Sequence, residues 1–244
     1  MSELLQVILA TLVISSGSLA GVATLSLNQK FLSKILMSLV SLSAGTMLGA
    51  AFLHLLPESL ETLGDLLPFQ LTLASFIVFF LLERFLHWRH CHDKEHLTKH
   101  TVGTLNLIGD AIHNFLDGVL IAASFAAGPG LGIIATLAIA LHEIPQEIGD
   151  FAVLIHSGFS RKRALVFNIL VSFTCIAGGI LGYIASRTVT TFANYLVPVA
   201  AGGFIYIAAA DLIPDLKHEN SSKRIAAVIM TFLLGVLIMV LVKD

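Results

Sequence analysis

Two stretches of the sequence combine long apolar runs with imidazole, carboxylate and amide side chains. Their polar residues are Asp110, His113, Asn114 and Asp117 in the first stretch, and His142, Glu143, Gln146, Glu147 and Asp150 in the second. Because an α-helix turns by about 100° per residue, each group falls along one side of its helix. Ionisable groups inside membrane-length segments are costly and typically serve a substrate or ion path. Imidazole suits zinc and iron, and carboxylates suit harder ions, so this chemistry indicates divalent-cation binding.

Pro145 lies within the second stretch and changes the backbone chemistry there. Proline has no N–H, so it leaves the carbonyl of Leu141 without its helical partner. The sequence therefore predicts a bent helix that offers one more oxygen near the polar group. Several carboxylates gathered in a low-dielectric region would repel one another unless a divalent cation or protons neutralise them.

The same residues allow two other interpretations. A satisfied polar network could simply clamp two helices, although nine polar groups on consecutive segments exceed what a clamp needs. His142-Glu143 also begins like HExxH, a zinc-binding motif of metalloproteases with a second His at i+4. Gln146 occupies that position here, so the second imidazole of the motif is missing. A membrane-embedded zinc metallohydrolase is the enzymatic alternative.

The composition places these stretches in a membrane. The chain has 244 residues, of which 56% are hydrophobic and 12% are charged, whereas soluble domains carry about 25% charged residues. Its apolar runs approach the ~20 residues that span a bilayer and lack the alternation of barrel strands. The predicted helices cover residues 4–27, 31–57, 66–88, 101–126, 131–156, 163–186, 193–214 and 224–242. We expect an all-α integral membrane protein with eight transmembrane helices, forming a single transporter-like domain over 1–244.

The basic residues predict the orientation. Twelve of the fourteen Lys and Arg lie in the odd-numbered connections or at the helix ends that flank them. Only Arg187 and Lys243 fall on the other side. The positive-inside rule then places the odd-numbered connections in the cytoplasm and both termini outside. The expected location is the plasma membrane, or the inner membrane of a cell that has two.

An internal repeat relates residues 44–58 to residues 201–215 without gaps, with an Ala-Gly pair and a proline in each copy. In the predicted topology the second helix runs outward and the seventh runs inward. Repeats of opposite orientation are typical of secondary transporters. The sequence thus predicts an inverted repeat of helices 1–3 and 6–8 around central helices 4–5. His54, near one end of the second helix, and Asp211, near the opposite end of the seventh, become candidate pathway residues.

The third connection, at about 88–100, is rich in imidazole. Its candidate weak metal ligands are His90, His92, His96 and His100. No fixed tetrahedral spacing is visible, so the segment does not read as a structural zinc site. A single histidine here would be an ordinary residue of a solvated cytoplasmic loop, whereas the cluster favours weak metal binding.

The motifs HNFLDG (113–118) and HEIPQEIGDF (142–151) resemble the paired signatures of the ZIP family of divalent metal transporters. The resemblance covers nearly the whole chain and puts the motifs on the fourth and fifth helices. It implies entry of zinc, or of iron, manganese or cadmium, into the cytoplasm. The metal would be the transported substrate and not a catalytic cofactor, and the protein would not be an enzyme. The expected partners are divalent metal ions and the lipid bilayer, not nucleic acid, with a second copy of the chain as a further candidate.

The resemblance also implies a binuclear site between the fourth and fifth helices. One ion would be held by His113, Asp117, His142 and Gln146, and the other by Asn114, Asp117, Glu143 and Gln146. Met47 would be an extra ligand near the first ion, and Glu147 and Asp150 match the longer signature of one branch. Asp110 and Asp150 would be accessory groups. Gln146 departs from the family pattern, which has His or Glu there, and an amide oxygen is a weaker, neutral ligand.

Overall fold

The computed structural model describes residues 2–19, 29–92, 99–188, 191–216 and 221–242. Within these ranges the chain is helical and has no β-strand. The helices are α1 (Glu3–Ser16, then a 3₁₀ turn Gly17–Leu19), α2 (Gln29–Ala50, Ala51–Leu55 and Leu56–Leu63), α3 (Leu67–His92), α4 (Lys99–Ala127), α5 (Pro129–His156), α6 (Arg161–Ser172 and Thr174–Thr188), α7 (Phe192–Tyr206, Ile207–Leu212 and Ile213–Leu216) and α8 (Ser222–Leu241).

Most of these helices have the length and composition of membrane spans. Five are long and apolar enough to cross a bilayer: Leu36–Leu63, Asn106–Ala127, Pro129–Ile155, Arg161–Thr188 and Arg224–Leu241. Three shorter apolar helices cover Glu3–Leu19, Leu67–Leu82 and Asn194–Ala210. Large apolar side chains such as Leu73, Leu170 and Met230 are exposed on their outer faces, where lipid would solvate them. The prediction of an all-α integral membrane protein is confirmed.

The first predicted helix is interrupted after Ser16. Its α-helical part covers Glu3–Ser16 and a 3₁₀ turn follows at Gly17–Leu19, whereas the remainder of the predicted range, from residue 20 to residue 27, lies outside the described residues. The hydroxyl of Ser16 donates to the carbonyl of Val13, and that of Ser18 donates to the carbonyl of Ser15. Such local bonds compete with helical pairing, and Gly17 adds a weak helix former. The hydropathy of the sequence alone does not show that the α-helix ends at Ser16.

The two halves of the chain share their irregularities at equivalent positions. α2 and α7 each contain a π-helical turn, Ala51–Leu55 and Ile207–Leu212, inside the predicted repeat. The same offset of 157 residues relates Ser15 to Ser172, and each hydroxyl donates to the other residue's carbonyl, at 2.8 and 3.2 Å. Because π-helical turns are rare and a reciprocal contact between equivalent residues is what a two-fold axis produces, the structure supports the repeat.

Glycines at equivalent positions bring the helices close together. A Cβ at Gly45 of α2 would clash with the backbone of Phe232 in α8, and one at Gly202 of α7 would clash with the backbone of Thr72 in α3. Small residues allow this close approach in membrane bundles. α2 therefore packs on α8 and α7 on α3, while α1, α4, α5 and α6 pack around one another. α4 and α5, which carry the polar stretches, also contact α7 and α2 respectively.

Candidate metal centre

Polar side chains of α4 and α5 meet at regular intervals along the two helices. The cross-helix contacts are His113 to His142 at 3.2 Å, Asp110 to Gln146 at 3.4 Å and Asn106 to Asp150 at 2.9 Å. Residue numbers fall along α4 as they rise along α5, so the helices are antiparallel. Successive contacts are about one helical turn apart, roughly 5–6 Å of rise. We call these three contacts the polar ladder.

The first contact of the polar ladder belongs to a group of four ligand atoms, which we call the metal centre. One atom each from His113, Asp117, His142 and Glu143 lies within 4.8 Å of all the others. His113 Nε2 is 3.5 Å from Glu143 Oε1 and 3.8 Å from Asp117 Oδ2. His142 Nε2 is 3.4 Å from Asp117 Oδ2 and 3.5 Å from Glu143 Oε1.

These separations fit a tetrahedral zinc site. Nitrogen and oxygen ligands ~2.0–2.1 Å from zinc at tetrahedral corners lie ~3.3–3.4 Å from one another. Asp117, His142 and Glu143 are buried, while the side chain of His113 is 20% exposed. Asp117 Oδ2 and both carboxylate oxygens of Glu143 are buried without a hydrogen-bond partner among the described residues. Since leaving such oxygens unpaired is costly, a divalent cation could serve as their partner, and the four atoms lie close enough together to hold one.

Asn114 and Gln146 contact Asp110 and lie beside the metal centre. Asn114 donates from its amide to Asp110 Oδ1 at 2.8 Å, which leaves its own Oδ1 buried and unpartnered in the described structure. Gln146 donates to the same carboxylate oxygen. The structure thus groups Glu143 with both histidines, and it turns the amide of Gln146 towards Asp110. The ligand roles that the resemblance gives to Asn114 and Gln146 stay predictions.

Glu147 and Asp150 have amide partners that sequence reasoning missed. Glu147 Oε2 accepts from the amide of Asn168 in α6, and Asp150 Oδ1 accepts from the amide of Asn106. Asn106 and Asn168 are visible in the sequence as single amides inside apolar helices, which is the signal that could have found them. Which carboxylate each amide reaches depends on helix packing and is not visible in the sequence.

The candidate pathway residues lie in α2 and α7, the two helices that contain a π-helical turn. Met47 is fully buried in α2. His54 is buried in the π-helical turn of α2, and its Nε2 is 2.8 Å from the carbonyl of Met239, in the last turn of α8, where carbonyls lack helical partners. Asp211 lies in the π-helical turn of α7, and its side chain is outside the described part. Whether these three residues meet the ion stays a prediction.

The connection rich in histidine is shorter than the predicted range 88–100. α3 continues through His92 and α4 begins at Lys99, so His90 and His92 are helical and His100 lies in the first turn of α4. His96 lies outside the described residues. The weak metal binding expected of these four histidines stays a prediction.

Pro145 lies inside α5 and, having no N–H, leaves the carbonyl of Leu141 without its helical partner; the predicted bend of the helix stays a prediction. The carbonyl of Leu141, which a residue other than proline would pair, accepts instead from the hydroxyl of Ser43 in α2 at 2.5 Å. The oxygen that was a candidate ligand is therefore engaged by a hydroxyl. This bond joins α2 to α5 at the residue immediately before His142.

The fold and site define a class of protein: a helical membrane protein with a buried histidine–carboxylate centre between two antiparallel helices. The profile of the ZIP zinc transporter family matches residues 4–101 and 89–243. The chain belongs to the ZIP family.

Three relatives illustrate the similarity. Zinc transporter ZIP13 of Pongo abelii is 34% identical over 225 residues, covering 84% of this chain and 66% of the relative. Zinc transporter SLC39A7 of Homo sapiens is 38% identical over 157 residues, covering 62% of this chain and 34% of the relative. Zinc transporter zipt-7.1 of Caenorhabditis briggsae is 32% identical over 250 residues, covering 76% and 64%. The chain thus spans just under two thirds of the length of ZIP13 and of zipt-7.1, and about a third of the length of SLC39A7.

Proposed function

We propose that the protein carries divalent metal ions, zinc foremost, across a membrane into the cytoplasm through the metal centre. The observation that carries this proposal is the convergence of four ligand atoms whose buried carboxylate oxygens have no other partner among the described residues. A structural zinc site is closed and solitary. This centre instead begins a polar ladder that continues for two more contacts along α4 and α5.

Zinc is the favoured substrate because of the ligand types. Two imidazoles and two carboxylates at these separations suit zinc, and the relatives are named zinc transporters. Iron, manganese and cadmium are the other candidates. Hydrolysis is less well supported, because Glu143, the general base of an HExxH enzyme, lies within the ligand group, 3.5 Å from both imidazoles.

The proposal includes eight membrane-spanning helices with both termini outside. The sorting of basic residues between the two sides supports this orientation. The plasma membrane is the proposed location, and a homodimer is the proposed assembly to test. The histidines between α3 and α4 would bind metal weakly on the cytoplasmic side.

Uptake by purified protein in liposomes tests the proposal. Asp117→Ala removes a buried carboxylate that lies beside both histidines. We expect zinc uptake to fall by more than the ~10–100-fold that loss of a partner outside the ligand set costs a metal site. The matched control is Asp65→Ala, which removes an exposed carboxylate in the connection between α2 and α3. Uptake near the parent rate in a folded Asp117→Ala protein would show that the metal centre is not on the path.

A further inference from the structure

Three carboxylates next to the metal centre share an unusual hydrogen-bonding pattern. Each has one oxygen held by a side-chain amide: Asp110 by Asn114 and Gln146, Asp150 by Asn106, and Glu147 by Asn168. The second oxygen of each, Asp110 Oδ2, Asp150 Oδ2 and Glu147 Oε1, is buried with no hydrogen-bond partner among the described residues. Asp110 is 5% exposed and Glu147 is 0% exposed.

This pattern is not what a purely structural network requires. Buried carboxylates that only stabilise a fold have donors on both oxygens, because an unpaired buried oxygen is costly. Here the amides fix one oxygen of each carboxylate and leave the other available. Three anions held this way would repel one another unless a divalent cation or protons neutralise them.

The three carboxylates all lie on the same side of the metal centre along the helix pair. Asp110 is three residues before His113 on α4, a rise of about 4.5 Å. Asp150 closes the last contact of the polar ladder with Asn106. Glu147 lies on α5 between Gln146, which contacts Asp110, and Asp150. Its side chain contacts Asn168 of α6. An ion that moved from the metal centre along the polar ladder towards Asp150 would therefore meet carboxylates and amides. None of these contacts contains an imidazole.

We propose that Asp110, Glu147 and Asp150 form a second cation station, made of carboxylate ligands, that binds a divalent ion released from the metal centre. The station rests on the proposed transport function and gives that function a next step. Among the described residues, only the metal centre gathers its His, Cys, Asp or Glu ligand atoms within 4.8 Å of one another. The oxygens of the station are therefore spread more widely than the ligand atoms of the metal centre.

Carboxylate oxygens are ligands that suit hard divalent cations. For zinc, exchanging two imidazoles for carboxylates and water weakens the hold, since imidazole is the better ligand late in the Irving–Williams order. The station would thus receive the ion and release it more readily than the metal centre does.

Manganese binding to the purified full chain, measured by electron paramagnetic resonance, tests the station. Mn²⁺ is a suitable probe because it prefers oxygen ligands. The centre variant His113→Ala/His142→Ala should still bind one Mn²⁺. Adding Asp110→Asn and Glu147→Gln should abolish that binding, whereas adding Asp65→Asn should not. Because these amide substitutions keep the side-chain shape and remove buried charge, we expect them to preserve the fold.

A second measurement covers misfolding of the centre variant. Parent protein loaded with one equivalent of zinc should bind Mn²⁺, and the Asp110→Asn/Glu147→Gln protein loaded in the same way should not. Mn²⁺ binding that persists after both station substitutions, or no Mn²⁺ binding in zinc-loaded parent protein, would overturn the station. Metal uptake in liposomes tests the transport proposal separately from the station. Parent protein that binds Mn²⁺ at the station but transports no metal would overturn the transport proposal and leave the station as a binding site.

Discussion

A backbone contact on the far side of its ring orients His142 for its proposed role as a metal ligand. Its Nδ1 is 3.3 Å from the carbonyl of Ala138, one turn earlier in α5. A carbonyl can only accept, so the contact requires the proton to be on Nδ1, and the lone pair is then on Nε2. Nε2 is the atom that faces His113, Asp117 and Glu143. A backbone partner that fixes the tautomer is a common feature of metal-binding histidines.

Gln146 is the residue at which metal preference can be tested. It follows His142 by four residues, so Gln146→His would place two imidazoles on one side of α5. Imidazole binds ions late in the Irving–Williams order better than an amide does. We expect the ratio of zinc uptake to manganese uptake to rise in this variant by about tenfold, the low end of the range for a change outside the four-atom group.

The matched control for Gln146→His is Gln146→Asn, which keeps the amide but shortens its reach to Asp110. Relative uptake of zinc, iron(II) and manganese is measured at one pH for parent and both variants. Full activity with an unchanged ratio in Gln146→His would mean that this side chain does not touch the ion, and its ligand role should then be dropped.

At the scale of elements, the sequence predicts α4 and α5 well and their partners less well. The predicted bounds 101–126 and 131–156 differ from Lys99–Ala127 and Pro129–His156 by a few residues, because apolar length and the break at Gly128 are local signals. The rotation of α4 is not local. A Cβ at Gly118 would clash with the backbone of Cys175 in α6, so packing on α6 fixes which polar side chains face α5.

The same limit explains the composition of the metal centre. Glu143 and Gln146 lie on adjoining sides of one helix, and sequence spacing lets either approach the histidines. The structure places Glu143 there and directs Gln146 to Asp110. Asn168 reaches Glu147 from a helix whose neighbours were unknown at the sequence level. Residue types at the site are predictable from the motifs, whereas their pairing depends on tertiary packing.

The bond between Ser43 and Leu141 gives a stability prediction for α5. Ser43→Ala leaves the Leu141 carbonyl without its hydroxyl partner, and we expect the free energy of unfolding to fall by about 1–3 kcal/mol. In a Pro145→Ala background, the new N–H at position 145 can pair with Leu141. The same Ser43→Ala change should then cost less. Unfolding in detergent, measured for all four proteins of this double-mutant cycle, gives the coupling.

Ser186→Ala is the control for this cycle. The Ser186 hydroxyl donates to the carbonyl of Tyr183 within its own helix, so its loss removes no contact between helices. An equal cost of Ser43→Ala in both backgrounds would show that Leu141 does not depend on the Ser43 hydroxyl.

Across the whole molecule, the inverted repeat relates the two halves of the chain, and the basic residues distinguish the two sides of the membrane. The offset of 157 residues relates the π-helical turns of α2 and α7 and the reciprocal contact between Ser15 and Ser172. Two related halves with opposite orientations would present equivalent surfaces to the two sides of a membrane. The basic residues break this symmetry, because twelve of the fourteen lie on one side of the predicted topology.

This asymmetry predicts which connections face the cytoplasm. Asp65 lies in the connection between α2 and α3, and Lys162 lies at the start of α6 beside Arg161 and Arg163; both Asp65 and Lys162 are exposed. Each is replaced singly by cysteine in a Cys91→Ser background, where the remaining Cys175 is buried. Because basic connections stay inside, a membrane-impermeant maleimide should label Asp65→Cys in intact cells and Lys162→Cys only after permeabilisation. Labelling of Lys162→Cys in intact cells, with Asp65→Cys protected, would reverse the orientation and make the proposed direction of transport an export.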